Sequence, residues 1–119
     1  MKILAASGDR DLLAAILTLL KLEGYEAVPA FDGIIVSAEL SEGSFDALLI
    51  DDKLPRVNSD KLLSLPEVSE LPAVLMTGSE RPTGSGKGRS EPDEVVHFPF
   101  EPEELLAALR RAAGRKQRQ

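Results

Sequence analysis

No cysteine occurs among the 119 residues, which excludes disulfides and thiolate metal sites and fits a reducing cytoplasm. Long apolar runs are missing too. None reaches the roughly 18 residues that a membrane-spanning helix needs. The opening Met1-Lys2-Ile3-Leu4-Ala5-Ala6 has no basic region leading into a long apolar stretch and a cleavage site, so no signal peptide is expected. Positive charge is in deficit. A net charge of −6 argues against non-specific nucleic-acid binding, which depends on neutralising phosphates. What remains is 43% apolar and 29% charged, the balance of an ordinary globular chain long enough for one core. These features predict a cytoplasmic single domain with no nucleic-acid or membrane partner.

Strand-like and helix-like stretches alternate. Residues 2–6 form a short apolar run closed by Ser7-Gly8. Asp9-Arg10-Asp11 then opens a helix at the end where its dipole favours carboxylates. Leu12, Leu13, Ile16, Leu17, Leu19 and Leu20 follow at helical spacing until Gly24 stops it. Strands are predicted over 25–30, 47–50, 72–77 and 95–98, and helices over 34–40, 59–65 and 103–113. The run 47–50 is wholly apolar, as expected of a strand covered by helices on both faces. This alternation predicts an α/β fold with a parallel sheet, flavodoxin-like, in strand order 2-1-3-4-5.

One segment breaks the rhythm. Residues 79–93 are rich in Gly and Ser and contain no apolar residue able to anchor a helix, so a flexible loop is expected where a fourth helix is due. Within it, Gly84-Ser85-Gly86-Lys87-Gly88 invites comparison with a phosphate-binding loop. Gly88 stands where Ser or Thr must follow the lysine, so nucleotide binding by this motif is rejected. The domain is expected to span 1–114. Residues 115–119 are expected to form a basic tail, with cations favoured at a helix C-terminus.

The run Phe45-Asp46-Ala47-Leu48-Leu49-Ile50-Asp51-Asp52-Lys53-Leu54-Pro55 resembles the phosphoacceptor segment of response-regulator receiver domains, the CheY-like modules of two-component signalling. The resemblance extends from Lys2 to about Ala113 in element order. It implies that Asp51 stands at the phosphoacceptor position and Thr77 at the phosphate-contacting hydroxyl position. The acidic pair that holds Mg²⁺ in the family falls on Ser7 and Gly8, neither of which carries a carboxylate. The lysine that pairs with the phosphate falls on Phe98, and the aromatic switch position on Val96. Asp9 and Lys53 are the nearest substitutes for the absent carboxylates and ammonium.

The resemblance is therefore to an atypical receiver, or pseudo-receiver. Mg²⁺ gives up its waters reluctantly and demands octahedral oxygen ligation, so Asp51 alone should hold it weakly. The expected function is a phosphorylation-independent protein-interaction module in a signalling pathway, without catalytic activity or cofactor, monomeric or weakly dimeric. A histidine kinase is among the candidate partners, with the first helix or apolar residues near Phe100 as candidate surfaces. The alternative is a receiver phosphorylated at Asp51 with a relaxed Mg²⁺ requirement. A small flavodoxin-like enzyme is the third reading, and no nucleophile–base pair supports it. His97, the sole histidine, lies beside Phe98 and is expected near the pocket, pointing away or satisfying a local hydrogen bond rather than ligating a metal. Asp52 reads as a solvated loop residue.

Overall fold

Strands β1 (Lys2–Ala6), β3 (Ala47–Asp51) and β4 (Ala73–Thr77) form the centre of a parallel sheet. β2 (Glu26–Ala30) and β5 (Glu94–His97) are its edges, giving the order β2-β1-β3-β4-β5. This is a computed structural model, and it describes residues 1–56, 59–63, 65–78 and 92–117. Among the described residues five helices complete it: α1 (Arg10–Leu22), α2 (Gly33–Glu42), α3 (Ser59–Leu63), α4 (Pro66–Ser69) and α5 (Pro102–Gln117).

The period of two along each strand divides the core in two. Ile3, Ala5, Ala47, Leu49, Val74 and Met76 face the α1 and α5 side, where Leu13, Ile16, Leu20, Leu105 and Leu109 cover them. The alternate residues Leu4, Ala6, Leu48, Ile50, Ala73 and Leu75 face Val36, Leu40, Leu62, Leu63 and Val68. Both faces are thus covered by helices, which is why the central strands are apolar throughout rather than alternating. Edge position suits Pro29, whose missing N–H would break an inner ladder.

Helices α1 and α2 begin with capping carboxylates. Asp9 accepts from the Leu12 N–H at 3.1 Å, and Asp32 accepts from the Ile35 N–H at 2.9 Å. Gly24 takes φ 89° after α1, a left-handed stop that a side chain would strain.

Several boundaries differ from the sequence reading. The second helix runs from Gly33 to Glu42 because Asp32, rather than Gly33, supplies its cap. The single turn α4, with Pro66 at its start, went unforeseen because four residues hold too little periodicity to read. α5 continues past Ala113 to Gln117, taking in residues expected to form a tail. The expected loop at 79–93 lies outside the described residues as far as 91. Asp93 is anchored to the sheet: its N–H donates to the Ala73 carbonyl and its carboxylate accepts from the Ala73 N–H, both at 2.8 Å.

Candidate functional site

In order β2-β1-β3-β4-β5 the chain departs from β1 and β3 in opposite directions, which opens a crevice at their carboxyl ends. Ser7 follows β1, Asp51 closes β3, Thr77 closes β4 and Phe98 follows β5. A cleft of about 560 Å³ opens there, lined by Gly8, Asp9, Leu12, Asp51, Lys53, Pro55, Gly78 and Phe98.

Asp51 is 7% exposed. Register explains its partner: Ala6 pairs with Ile50, so Ser7 comes level with Asp51 on the same side of the sheet. The Ser7 hydroxyl donates to Asp51 Oδ2 at 2.9 Å, and the Lys53 N–H donates to Oδ1 at 3.0 Å. Ser7 is fully buried, and its hydroxyl oxygen also accepts from the Asp9 N–H at 3.0 Å. Its own N–H donates to the Ala30 carbonyl at 3.0 Å.

Thr77 does not meet Asp51. It shares parity with Ala73 and Leu75, which face the α2 side, as do Leu48 and Ile50 on β3. Asp52 continues that parity, and the Thr77 hydroxyl donates to Asp52 Oδ2. Asp52 is therefore not the solvated loop residue expected from sequence. It is partly buried, its N–H donates to the Met76 carbonyl at 3.0 Å, and Oδ1 is buried without a partner among the described residues.

The Gly8 position is closed by its neighbour. A Cβ built there would lie 2.8 Å from Pro55 Cδ and 3.0 Å from Cγ. The segment carrying Pro55 is itself held: its carbonyl accepts from the Gly33 N–H at 3.0 Å, and Arg56 pairs with Asp32 at 3.6 Å. Arg56 takes φ 81°, an uncommon conformation for a side chain of that size. Phe98 lies half-buried on the cleft wall, stacked on Phe100 with ring centroids 5.3 Å apart.

Of the suggested substitutes, Asp9 lines the cleft but spends one oxygen capping α1. Lys53 also lines the cleft and is exposed. Val96 is buried in the core at 5% exposure. His97 does not line this cleft, in keeping with the expectation that it points away. It is exposed on the edge strand β5 and borders a separate groove with Glu103, Glu104 and Arg111. Of the apolar residues near Phe100, Pro99 and Pro102 are exposed and Phe98 is half-buried. Phe100 is partly buried against the core, while Leu22, Phe31 and Ile34 are the large side chains facing outward besides Met1. Among the described residues no group of three His, Cys, Asp or Glu side chains is placed to hold a metal ion. Nor is any helix there long and apolar enough to cross a membrane.

No family model matches the chain. Curated relatives do. The transcriptional regulatory protein CpxR of Escherichia coli K12 is 34% identical over 114 residues, covering 92% of this chain and 47% of that protein. The regulatory protein VanRc of Enterococcus gallinarum is 25% identical over 122 residues, 98% of this chain and 52% of that one. The chain thus spans about half the length of these relatives. Because they are transcriptional regulators by name, the expectation of no nucleic-acid partner finds no support in them. Among solved structures, the chemotaxis response regulator CheY4 of Vibrio cholerae shares the fold with a TM-score of 0.84 at 24% identity, over 93% of this chain and 97% of that one. The receiver domain of the sensor histidine kinase PA1611 from Pseudomonas aeruginosa, with magnesium coordinated in its active-site cleft, superposes with a TM-score of 0.81 at 20% identity. It covers 95% of this chain and 97% of its own. Sequence relatedness across nearly the whole chain, on the matching five-stranded sheet, places the chain with CheY-like response-regulator receiver domains.

Proposed function

We propose that this receiver domain works without phosphorylation, as a protein-interaction module of a cytoplasmic two-component pathway, monomeric or weakly dimeric. The observation that carries this reading is the buried hydrogen bond from Ser7 to Asp51. It gives Asp51 a neutral donor where a charged metal site would stand. The residues present do not fit Mg²⁺. Ser7 and Gly8 offer no carboxylate, Asp9 caps a helix, and Asp52 is turned to the other side with Thr77. Phe98 supplies apolar surface in place of a cation, so an aspartyl phosphate would meet little compensating charge.

Phosphorylation of Asp51 by a histidine kinase, with Asp9 and Lys53 as substitutes, is the competing reading. Incubation of the chain with acetyl phosphate and Mg²⁺, followed by intact-mass measurement, separates the two. An unchanged mass is the expected result. A phosphoryl adduct lost in Asp51→Asn would overturn the proposal.

A further inference from the structure

We propose that the cleft over Asp51 is a binding site for an organic cation, specifically an alkylguanidinium group. The inference rests on the phosphorylation-independent reading of the same site, which leaves Asp51 a permanent carboxylate.

The chemistry of the walls points one way. Among the described residues two carboxylates, Asp51 and Asp9, line the cleft against one cation, Lys53, so the formal charge of these walls is negative. Phe98, Leu12 and Pro55 supply an apolar surround, and Phe98 offers an aromatic ring able to take a delocalised cation on its face. Among the described residues each Asp51 oxygen accepts one protein hydrogen bond, Oδ2 from Ser7 and Oδ1 from Lys53. A carboxylate has about four lone-pair sites, which leaves one on each oxygen for a forked donor. Guanidinium is such a donor, planar and weakly hydrated, and it combines pairing with stacking better than ammonium does. At about 560 Å³ the cleft has room for the group with an aliphatic stem.

Anions are disfavoured by the same inventory. The walls described present a single ammonium, on an exposed lysine. Metal ions lack a sufficient ligand set, since Asp9 commits one oxygen to the α1 cap and no group of three His, Cys, Asp or Glu side chains gathers among the described residues. The cation recognised is therefore one that needs a single carboxylate and an apolar wall.

The probe is n-butylguanidinium, titrated into the ¹⁵N-labelled chain. The expected result is saturable movement of the Ser7, Gly8, Lys53, Gly78 and Phe98 amides in the low-millimolar range of a fragment-sized ligand. Asp51→Asn should weaken binding by about tenfold or more, the loss of a charge-assisted pair. Phe98→Leu should weaken it less, and Lys53→Gln should tighten it. n-Butylammonium should bind more weakly than n-butylguanidinium, while free arginine and an arginine-containing peptide as further arms tell a metabolite from a protein side chain. Absence of saturable shifts, or equal affinity in a folded Asp51→Asn variant, would overturn the proposal. A parallel titration with Mg²⁺ and beryllofluoride keeps the two readings apart. If those ions move the same amides, the phosphorylation-independent reading fails; if nothing moves them and nothing moves with guanidinium, only the cation site fails.

Discussion

The hydroxyl of Ser7 and the carboxylate of Asp51, 44 positions apart in sequence, meet at 2.9 Å with both residues buried. Ser7 donates to Asp51 while accepting from the Asp9 N–H, so one side chain ties the end of β1 to the end of β3 and to the start of α1.

Removing that hydroxyl strands the buried Asp51 oxygen and the part-buried Asp9 N–H. Ser7→Ala is expected to lower stability by about 1–3 kcal/mol, the cost of leaving buried polar groups unpaired. Ser7→Asp places a second carboxylate against Asp51. Its stability should fall in metal-free buffer and recover on adding Mg²⁺, whereas the unaltered chain should show no Mg²⁺ dependence. Urea denaturation with and without Mg²⁺ measures both.

Restoring a carboxylate at position 8 should fail for a steric reason. A Cβ there lies 2.8 Å from Pro55 Cδ, and the Pro55 carbonyl is held by the Gly33 N–H. Gly8→Asp should cost about 1–3 kcal/mol, the usual range for overpacking a close contact. Pro55→Ala in the same chain should return part of it. A double-mutant cycle reports the coupling, and additive effects would show that the contact is not the cause.

Asp9 should behave as a cap rather than a metal ligand. Asp9→Ser keeps an oxygen able to accept from the Leu12 N–H and should stay near the parent stability. Asp9→Ala should lose about 1 kcal/mol, the typical value of an N-cap. Equal losses in both would contradict the capping role.

The bond from Thr77 to Asp52 should be worth more than a surface contact, because Thr77 is fully buried and the other Asp52 oxygen has no partner among the described residues. Thr77→Val preserves shape and should destabilise by about 1–3 kcal/mol. In Asp52→Ala the same substitution should cost much less, since the carboxylate it serves is gone.

The sheet could be read from the chain because its apolar runs are short, separated by turns and helical patterns, and fully buried. Order 2-1-3-4-5 followed from the alternation and the resemblance together. The placement of Asp51 at a strand end was legible from the run that precedes it. Its pairing with Ser7 was not, because that depends on the β1–β3 register, and no single strand carries its register. The same limit hid the Thr77–Asp52 bond. Counting parity along β4 would have placed Thr77 on the side of Leu75, away from Asp51. That His97 points away from the cleft was legible, because adjacency to Phe98 in sequence puts the two side chains on opposite sides of a strand. The Gly8–Pro55 contact joins distant residues through space and leaves no periodic trace.

The most direct test of a site that works without phosphate is amide NMR of the labelled chain, first with Mg²⁺ and then with beryllofluoride, a mimic of the aspartyl phosphate. The account predicts that the amides of Ser7, Asp51, Lys53 and Thr77 stay in place through both additions. Saturable shifts at those amides, abolished in Asp51→Asn, would make Asp51 a working phosphoacceptor and contradict it.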